Sequence, residues 1–432
     1  MALDKNTIIK LFFLLLIFIS FFLGFPLREF VPGGAAGDFT NITWPLLQSF
    51  KQNFLFSIKN YGTFGEASYP LFYIINSYLN PFSSDKVGFI LSITFISFIG
   101  FILFSYLIKK KSKISNIDCL LTASLILLLP FYRSSAYWGT TENFAWLFLI
   151  LSFIFFLDIK ENYTKDLKTK VTTTILLCFF SSCALYIRPA FIFWPISFFL
   201  YLFLVNKDKK IIITSLLSYL IFSIPGFILI FTWGNVYDSQ NMTMNLEDYH
   251  NYKNIIKNIP ILLSYFAFYL FPILIIEVLD IGINKFLSKY KNIFLLAFSS
   301  SLILWQAGFL DYLGNFTYGG GAILKLNYLI KSENFILLLL SSALGFSVLW
   351  EIIKENYKIN ISIVIPIFII YGFPTMLFQE YVEPLILILF YSGILQTKLN
   401  QIYFNKFLLS SIITSVYFSA YLIGATYYKH FI

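Results

Sequence analysis

VGFILSITFISFIGFILFSYLI, residues 87–108, carries no charged side chain, and lysines follow it at 109, 110, 111 and 113. A helix over this stretch is long enough to cross about 30 Å of hydrocarbon, and the lysine cluster marks where polar headgroups begin. The stretch therefore reads as a membrane span, and its flank as the cytoplasmic side.

The rest of the chain repeats the pattern. Apolar runs near spanning length lie at 9–25, 119–137, 141–158, 171–187, 190–205, 211–233, 259–281, 293–310, 334–353, 361–377, 381–397 and 407–426. Pro130, Pro189, Pro195, Pro225 and Pro272 interrupt some of them. The expectation is an all-α, polytopic bundle of about 13 spans, one membrane-embedded domain over 1–432. Of the 432 residues 58% are apolar and only 12% charged, whereas soluble domains are near a quarter charged. Too little polar surface exists to cover such a core in water, so lipid is the solvent.

With the N-terminus in the cytoplasm, 20 of the 31 lysines and arginines fall in cytoplasmic connections, as the positive-inside rule requires. The long connections, 26–86, 234–258 and 311–333, then face outward. Trp44–Ile58 and Tyr69–Tyr78 in the first are apolar but too short to span, and are expected to lie along the membrane surface. The net charge of +9 is scattered between apolar runs, which argues against a nucleic-acid partner and for membrane lipids. Cys119, Cys178 and Cys183 are an odd set within or beside apolar runs, a poor disulfide framework. With His250 and His430 the only histidines, no zinc or haem site is expected.

Ionisable groups gather at the outer ends of the spans, where each needs a partner, a watery cavity or a chemical role. Asp38 lies in PGGAAGDFTN (32–41), just after the first span. A carboxylate held there suits a general base for a hydroxyl acceptor; capping the helix that follows is the structural alternative. Arg188, fixed by Pro189, and Arg133, in FYRSSAYWGTTEN (131–143), are planar forks suited to a phosphate, or else interfacial anchors. Lys325 ends the glycine-rich NFTYGGGAILK (315–325), a loop over a pocket or a plain turn. Glu380 and Glu383, in QEYVEP (379–384), could hold a sugar hydroxyl or cap a helix.

The order of these pieces resembles the membrane-embedded glycosyltransferases of the GT-C superfamily. The resemblance rests on a long outer first loop with an early acid, Asp38, and on YPLFY (69–73), YWGTTEN (137–143), YIRPAFIFWP (186–195) and QEYVEP (379–384). The layout is most similar to the dolichyl-phosphate-glucose alpha-1,2-glucosyltransferases. It departs from them at Gly37, where a second acid often stands, and at Glu380, where an arginine is usual.

The resemblance implies inverting transfer of a hexose or pentose from a polyprenyl-phosphate donor to a lipid-linked or other envelope glycan. Asp38 would be the base, Arg188, Arg133 and Lys325 the phosphate ligands, and Glu66, Tyr69, Glu142, Glu380 and Glu383 substrate contacts. A divalent cation, Mg²⁺ or Mn²⁺, stays open, since Glu66 or Glu142 would have to fold close to Asp38. A flippase or polymerase of lipid-linked glycan is an alternative, but most charges sit at span ends instead of lining mid-span. A transporter is another, although no internal repeat is present. Usage rich in Lys, Asn, Ile and Phe looks like an AT-rich bacterial genome, which makes the membrane a bacterial inner membrane with the outer side periplasmic, or the ER lumen in a eukaryote.

Overall fold

In the computed structural model the described residues are 4–29, 35–66, 68–112, 114–161, 166–234, 252–306, 321–329, 335–374 and 377–427. They form an all-helical protein without strands. Among the described residues eight helices are long and apolar enough to cross a membrane: Lys5–Gly24, Lys86–Lys111, Glu142–Lys160, Pro189–Asn206, Lys209–Trp233, Asn254–Ile281, Ile336–Glu355 and Phe407–Thr426. This is the make-up of an integral, multi-pass membrane protein. The connections expected at 234–258 and 311–333, with the glycines of 315–320, lie largely outside the described residues.

The chain divides into two compact units, one holding the described residues of Leu11–Met244 with Leu422–Ile432, the other those of Met1–Lys10 with Asn245–Tyr421. They are named here for Asp38 and Glu383.

In the Asp38 unit, α1 (Lys5–Gly24), from Leu11 onward, leads to a connection of short helices: α2 (Ala35–Asp38), a π-helical turn (Phe39–Thr43), α3 (Trp44–Gln52), α4 (Phe54–Lys59) and α5 (Leu71–Tyr78). The two apolar pieces expected in this loop are thus helical but broken. Asn53, extended at φ −155°, separates α3 from α4 and caps the latter by accepting from the Phe56 N–H at 3.0 Å. Next comes α6 (Lys86–Lys111), started by the Asp85 carboxylate on the Gly88 N–H at 2.7 Å and ended by three lysines that complement its C-terminal dipole.

The run expected as one span at 119–137 is bent by 74° between Asn116–Leu128 and Pro130–Trp138. The cause is local: Leu129, forced extended by the following proline, breaks the helix between α7 (Asn116–Ala123) and α8 (Pro130–Trp138). Then follow α9 (Glu142–Glu161), α10 (Leu167–Leu185), α11 (Phe193–Tyr201) and α12 (Lys209–Trp233). Trp194 is fully buried between Phe153 and Phe156, edge-on to both, with its indole N–H on Ser152 at 2.7 Å.

An ion pair between Lys110 and Asp158 at 2.7 Å joins the C-terminal ends of α6 and α9. The two helices therefore run side by side in one direction, and Lys86 and Glu142 share the opposite end. The C-termini of α1, α10 and α12 reach that same end, where the short helices of residues 35–78 cover them. This arrangement decides which side chains can meet.

The Glu383 unit contains α13 (Tyr252–Ile281), α14 (Ile283–Gln306), α15 (Gly321–Leu329), α16 (Ile336–Glu355), α17 (Tyr357–Gly372), α18 (Glu383–Tyr391), α19 (Lys398–Asn405) and, as far as Tyr421, α20 (Phe407–Tyr427). Gly345 lets α16 lie directly on the Leu263 carbonyl of α13, a contact that any Cβ would block. The run at 381–397, expected as a span, holds only the nine-residue α18, which stops before the left-handed Gly393 (φ +67°), and irregular backbone at 373–374 and 377–378 leads up to it. Non-helical backbone at such depth needs internal partners. Here α13 supplies them: Asn254 donates to the Phe373 carbonyl at 3.0 Å, Asn258 to the Gly372 and Pro374 carbonyls at 3.0 and 2.6 Å, and Tyr265 to the Leu377 carbonyl at 3.3 Å.

Candidate functional site

Asp38 is the last residue of α2, with helical backbone angles (φ −62°, ψ −41°) and no side-chain bond to the helix start that follows. It is not a cap. Its side chain is exposed. Crowding by the surrounding chain, then the carboxylates of Glu142 and Glu66, push its pKa up to about 6, against the opposing pull of Arg188. These four side chains thus form one electrostatic neighbourhood.

Each partner is positioned by a different element. Glu142 opens α9, and its carboxylate pairs with Arg188 at 2.8 Å and accepts from the Ser135 hydroxyl at 3.3 Å. Arg188 stands where α10 has ended: its N–H still donates to the Ala184 carbonyl at 2.9 Å, while its own extended backbone (φ −131°) starts the 3-10 turn at Pro189. Both members of the pair keep 20% of their surface open, so neither is sealed away. Glu66 is held by the Ser68 N–H at 2.9 Å and by the Tyr73 hydroxyl. Tyr69 packs edge-on to Tyr186 and stacks on Trp233, beside Glu66. Burial, with Tyr186 nearby, raises its phenol pKa.

Arg133 has another fate. It is 1% exposed, and all five of its N–H groups are engaged: Nε and Nη2 with the two Glu29 oxygens at 2.7 and 3.0 Å, Nη2 also with the Ser20 carbonyl at 2.6 Å, and Nη1 with the Ser20 hydroxyl and the Leu127 carbonyl at 3.1 and 3.2 Å. A guanidinium has five donors, so none is left for a phosphate. The expected ligand role is corrected to a clamp that fixes the end of α1 to α8. The Trp138 indole, donating to the Glu29 carbonyl at 3.1 Å, strengthens it.

The remaining candidates belong to the Glu383 unit. Lys325, on α15, is half-buried, and burial lowers its amine pKa. Glu380 is half-buried in the turn Gln379–Tyr381. Glu383 has no exposed surface, and one of its oxygens accepts from the Tyr269 and Tyr421 hydroxyls at 2.9 and 2.8 Å. Gln379 binds the same two hydroxyls and accepts from the Ala322 N–H at 2.6 Å, which anchors the start of α15. A carboxylate packed in this way is an internal strut, which corrects the expectation that Glu383 contacts substrate. Gly321, left-handed at φ +70°, fits against Gln379 and Tyr265 only because it lacks a Cβ.

Among the described residues no three His, Cys, Asp or Glu side chains stand together so as to hold a metal ion. No family model, curated protein or solved structure matches the chain.

Sequence reasoning missed Tyr73, Ser135, Tyr186 and Trp233 as parts of this end of the unit. Tyr73, Ser135 and Tyr186 lay inside the motifs already quoted. Glu29 was legible as one of the ionisable groups at the outer ends, but its pairing with Arg133, across 104 positions of sequence, was not.

Proposed function

We propose that the protein is a membrane glycosyltransferase of the GT-C kind, which moves a sugar from a polyprenyl phosphate to a hydroxyl of a lipid-linked or other envelope glycan. What carries the reading is the meeting of an exposed carboxylate, titrating near neutrality, with two further acids and one anchored guanidinium at a single end of a helical bundle.

The chemistry follows from the charges. Asp38 takes the acceptor proton as the acceptor oxygen bonds to the anomeric carbon and the bond from that carbon to the phosphate oxygen breaks. The polyprenyl phosphate leaves with the electron pair, and one displacement inverts the anomeric centre. A base with pKa near 6 is deprotonated at neutral pH yet basic enough to accept in the transition state. Arg188, oriented by Glu142, meets the charge that develops on the departing phosphate. Glu66 and Tyr69 face the sugar hydroxyls. Mg²⁺ or Mn²⁺ would find carboxylates here but no assembled ligand set, so no step is routed through a metal.

In this reading the site faces the periplasm, or the ER lumen in a eukaryote, because lysines crowd the opposite helix ends. The connection at 26–86 is then an outer loop. With α10, α14, α17 and the bent pair at 116–138 also crossing, the bundle has about 12 spans. The test is transfer from labelled polyprenyl-phosphate sugars in membranes carrying Asp38→Asn. Loss of transfer with the protein still inserted supports the reading; undiminished transfer removes Asp38 as the base.

A further inference from the structure

α12 is the most weakly enclosed of the candidate spans: 17% of its apolar window is buried. Two of its features are unusual. Pro225 sits in its interior, where the missing N–H leaves the Ile221 carbonyl without its helical donor. One residue later, the side chain of Tyr186 is inserted into the helix. Its hydroxyl donates to the Phe222 carbonyl at 2.7 Å and accepts from the Gly226 N–H at 2.9 Å, the two groups that an uninterrupted helix joins to each other. Gly226 makes room for this, since a Cβ there would stand 2.9 Å from the phenol oxygen. Bends in helices arise where a proline or an inserted side chain opens the ladder, and both occur here within two residues.

Beyond Pro225, the last turns of α12 are tied down at their tip. The Trp233 indole donates to the Ile58 carbonyl at 2.7 Å, and its ring stacks on Tyr61 and Tyr69. Tyr186 is two residues from Arg188, and its carbonyl accepts from the Leu71 N–H at 3.4 Å. Tyr186 therefore joins α12 through its phenol and the start of α5 through its carbonyl, two residues from the site's guanidinium.

We propose that residues 226–233 of α12 form a lateral gate, hinged at Pro225 and latched by Tyr186 and Trp233, through which the isoprenoid chain of a lipid phosphate passes from the bilayer to Arg188. A lipid substrate that came to a phosphate ligand from the water phase would drag its chain through water, whereas the weakly enclosed α12, joined by Tyr186 to the turn that carries Arg188, offers a route from the bilayer. This inference rests on the functional reading above for the identity of the ligand. Tyr186 acts in it as a positioning residue.

The test separates the gate from the chemistry. Spin labels at Leu55 and Phe231, which are 76% and 85% exposed, report the distance across the gate by pulsed electron resonance in lipid nanodiscs, with Cys119, Cys178 and Cys183 changed to alanine. Adding long-chain polyprenyl phosphate alone should lengthen or broaden that distance in the otherwise native protein. Pro225→Ala, which restores the donor for Ile221, should abolish the response; Tyr186→Phe should broaden the distribution before any lipid is added. In transfer assays Pro225→Ala should lower kcat/KM about tenfold for a long-chain donor and less than about twofold for a water-soluble donor of two isoprene units. An unresponsive distance in the native protein, or equal losses with both donors, overturns the gate. Should no donor be used at all while lipid phosphate still moves the labels, the transferase reading falls and the gate stands.

Discussion

Two arginine–glutamate pairs lie in the Asp38 unit, and they differ in what surrounds them. Arg133 and Glu29 form a set closed on the cation's side: the guanidinium has spent every donor and is 1% exposed, while the single acid that meets it keeps 18% of its side chain open. Arg188 and Glu142 form an open one: both remain 20% exposed, and Asp38 senses that cation together with the carboxylates of Glu142 and Glu66. A satisfied buried pair holds structure together, because breaking it strands a charge out of water. An unbalanced, half-open group instead leaves one carboxylate with a shifted pKa, and this is the arrangement on which proton transfer depends. Residue type alone does not separate the two pairs.

The largest expected effect falls on the open set. Asp38→Asn should lower transfer by about 10² to 10⁴-fold, the range for loss of a general base, with no change in the thermal unfolding of the purified protein. The closed set should show the converse. Arg133→Met leaves Glu29 and two carbonyls without their donor and should destabilise the Asp38 unit by about 1–3 kcal/mol, read as a lower unfolding temperature in detergent. Arg133→Lys should rescue little of this, since an ammonium cannot span two carboxylate oxygens and two backbone carbonyls. If Arg133→Met removed transfer while leaving unfolding unchanged, the distinction between the pairs would collapse.

The sequence made the helical membrane body legible, since runs such as 87–108 admit no other solvent. Bringing Asp38 and Arg188 to one end was legible too, because topology and the lysine bias order the helix ends. What escaped depends on partners far away in the chain. Arg133 and Arg188 both read as arginines at helix ends beside aromatics, and only the fold reveals that Glu29 captures one of them. Glu383 read as a loop carboxylate; tyrosines from α13 and α20 turn it into an internal strut. The run at 381–397 was apolar enough to span, yet its helix ends at Tyr391, two residues before Gly393 turns left-handed at φ +67°, so only nine of its residues are helical.

Between the two sets, Arg188→Gln should lower transfer by about 10²-fold, the cost of removing one donor from a developing anion. The smallest effect is the most diagnostic of how the open set works. Transfer needs Asp38 ionised, so the rate should rise with pH through a midpoint near 6. Glu66 contributes to that elevation as a like charge. Glu66→Gln should therefore move the acid limb to lower pH, by less than about one unit because Asp38 is exposed and water screens the pair. Arg188→Gln removes the opposing cation and should move the limb of its residual activity the other way, to higher pH. Rate profiles of the three proteins at low salt check both signs, and raising the ionic strength should draw the limbs together. Limbs that coincide at low salt would mean that these carboxylates do not sense one another, and the open set would then be no more than three acids near an arginine.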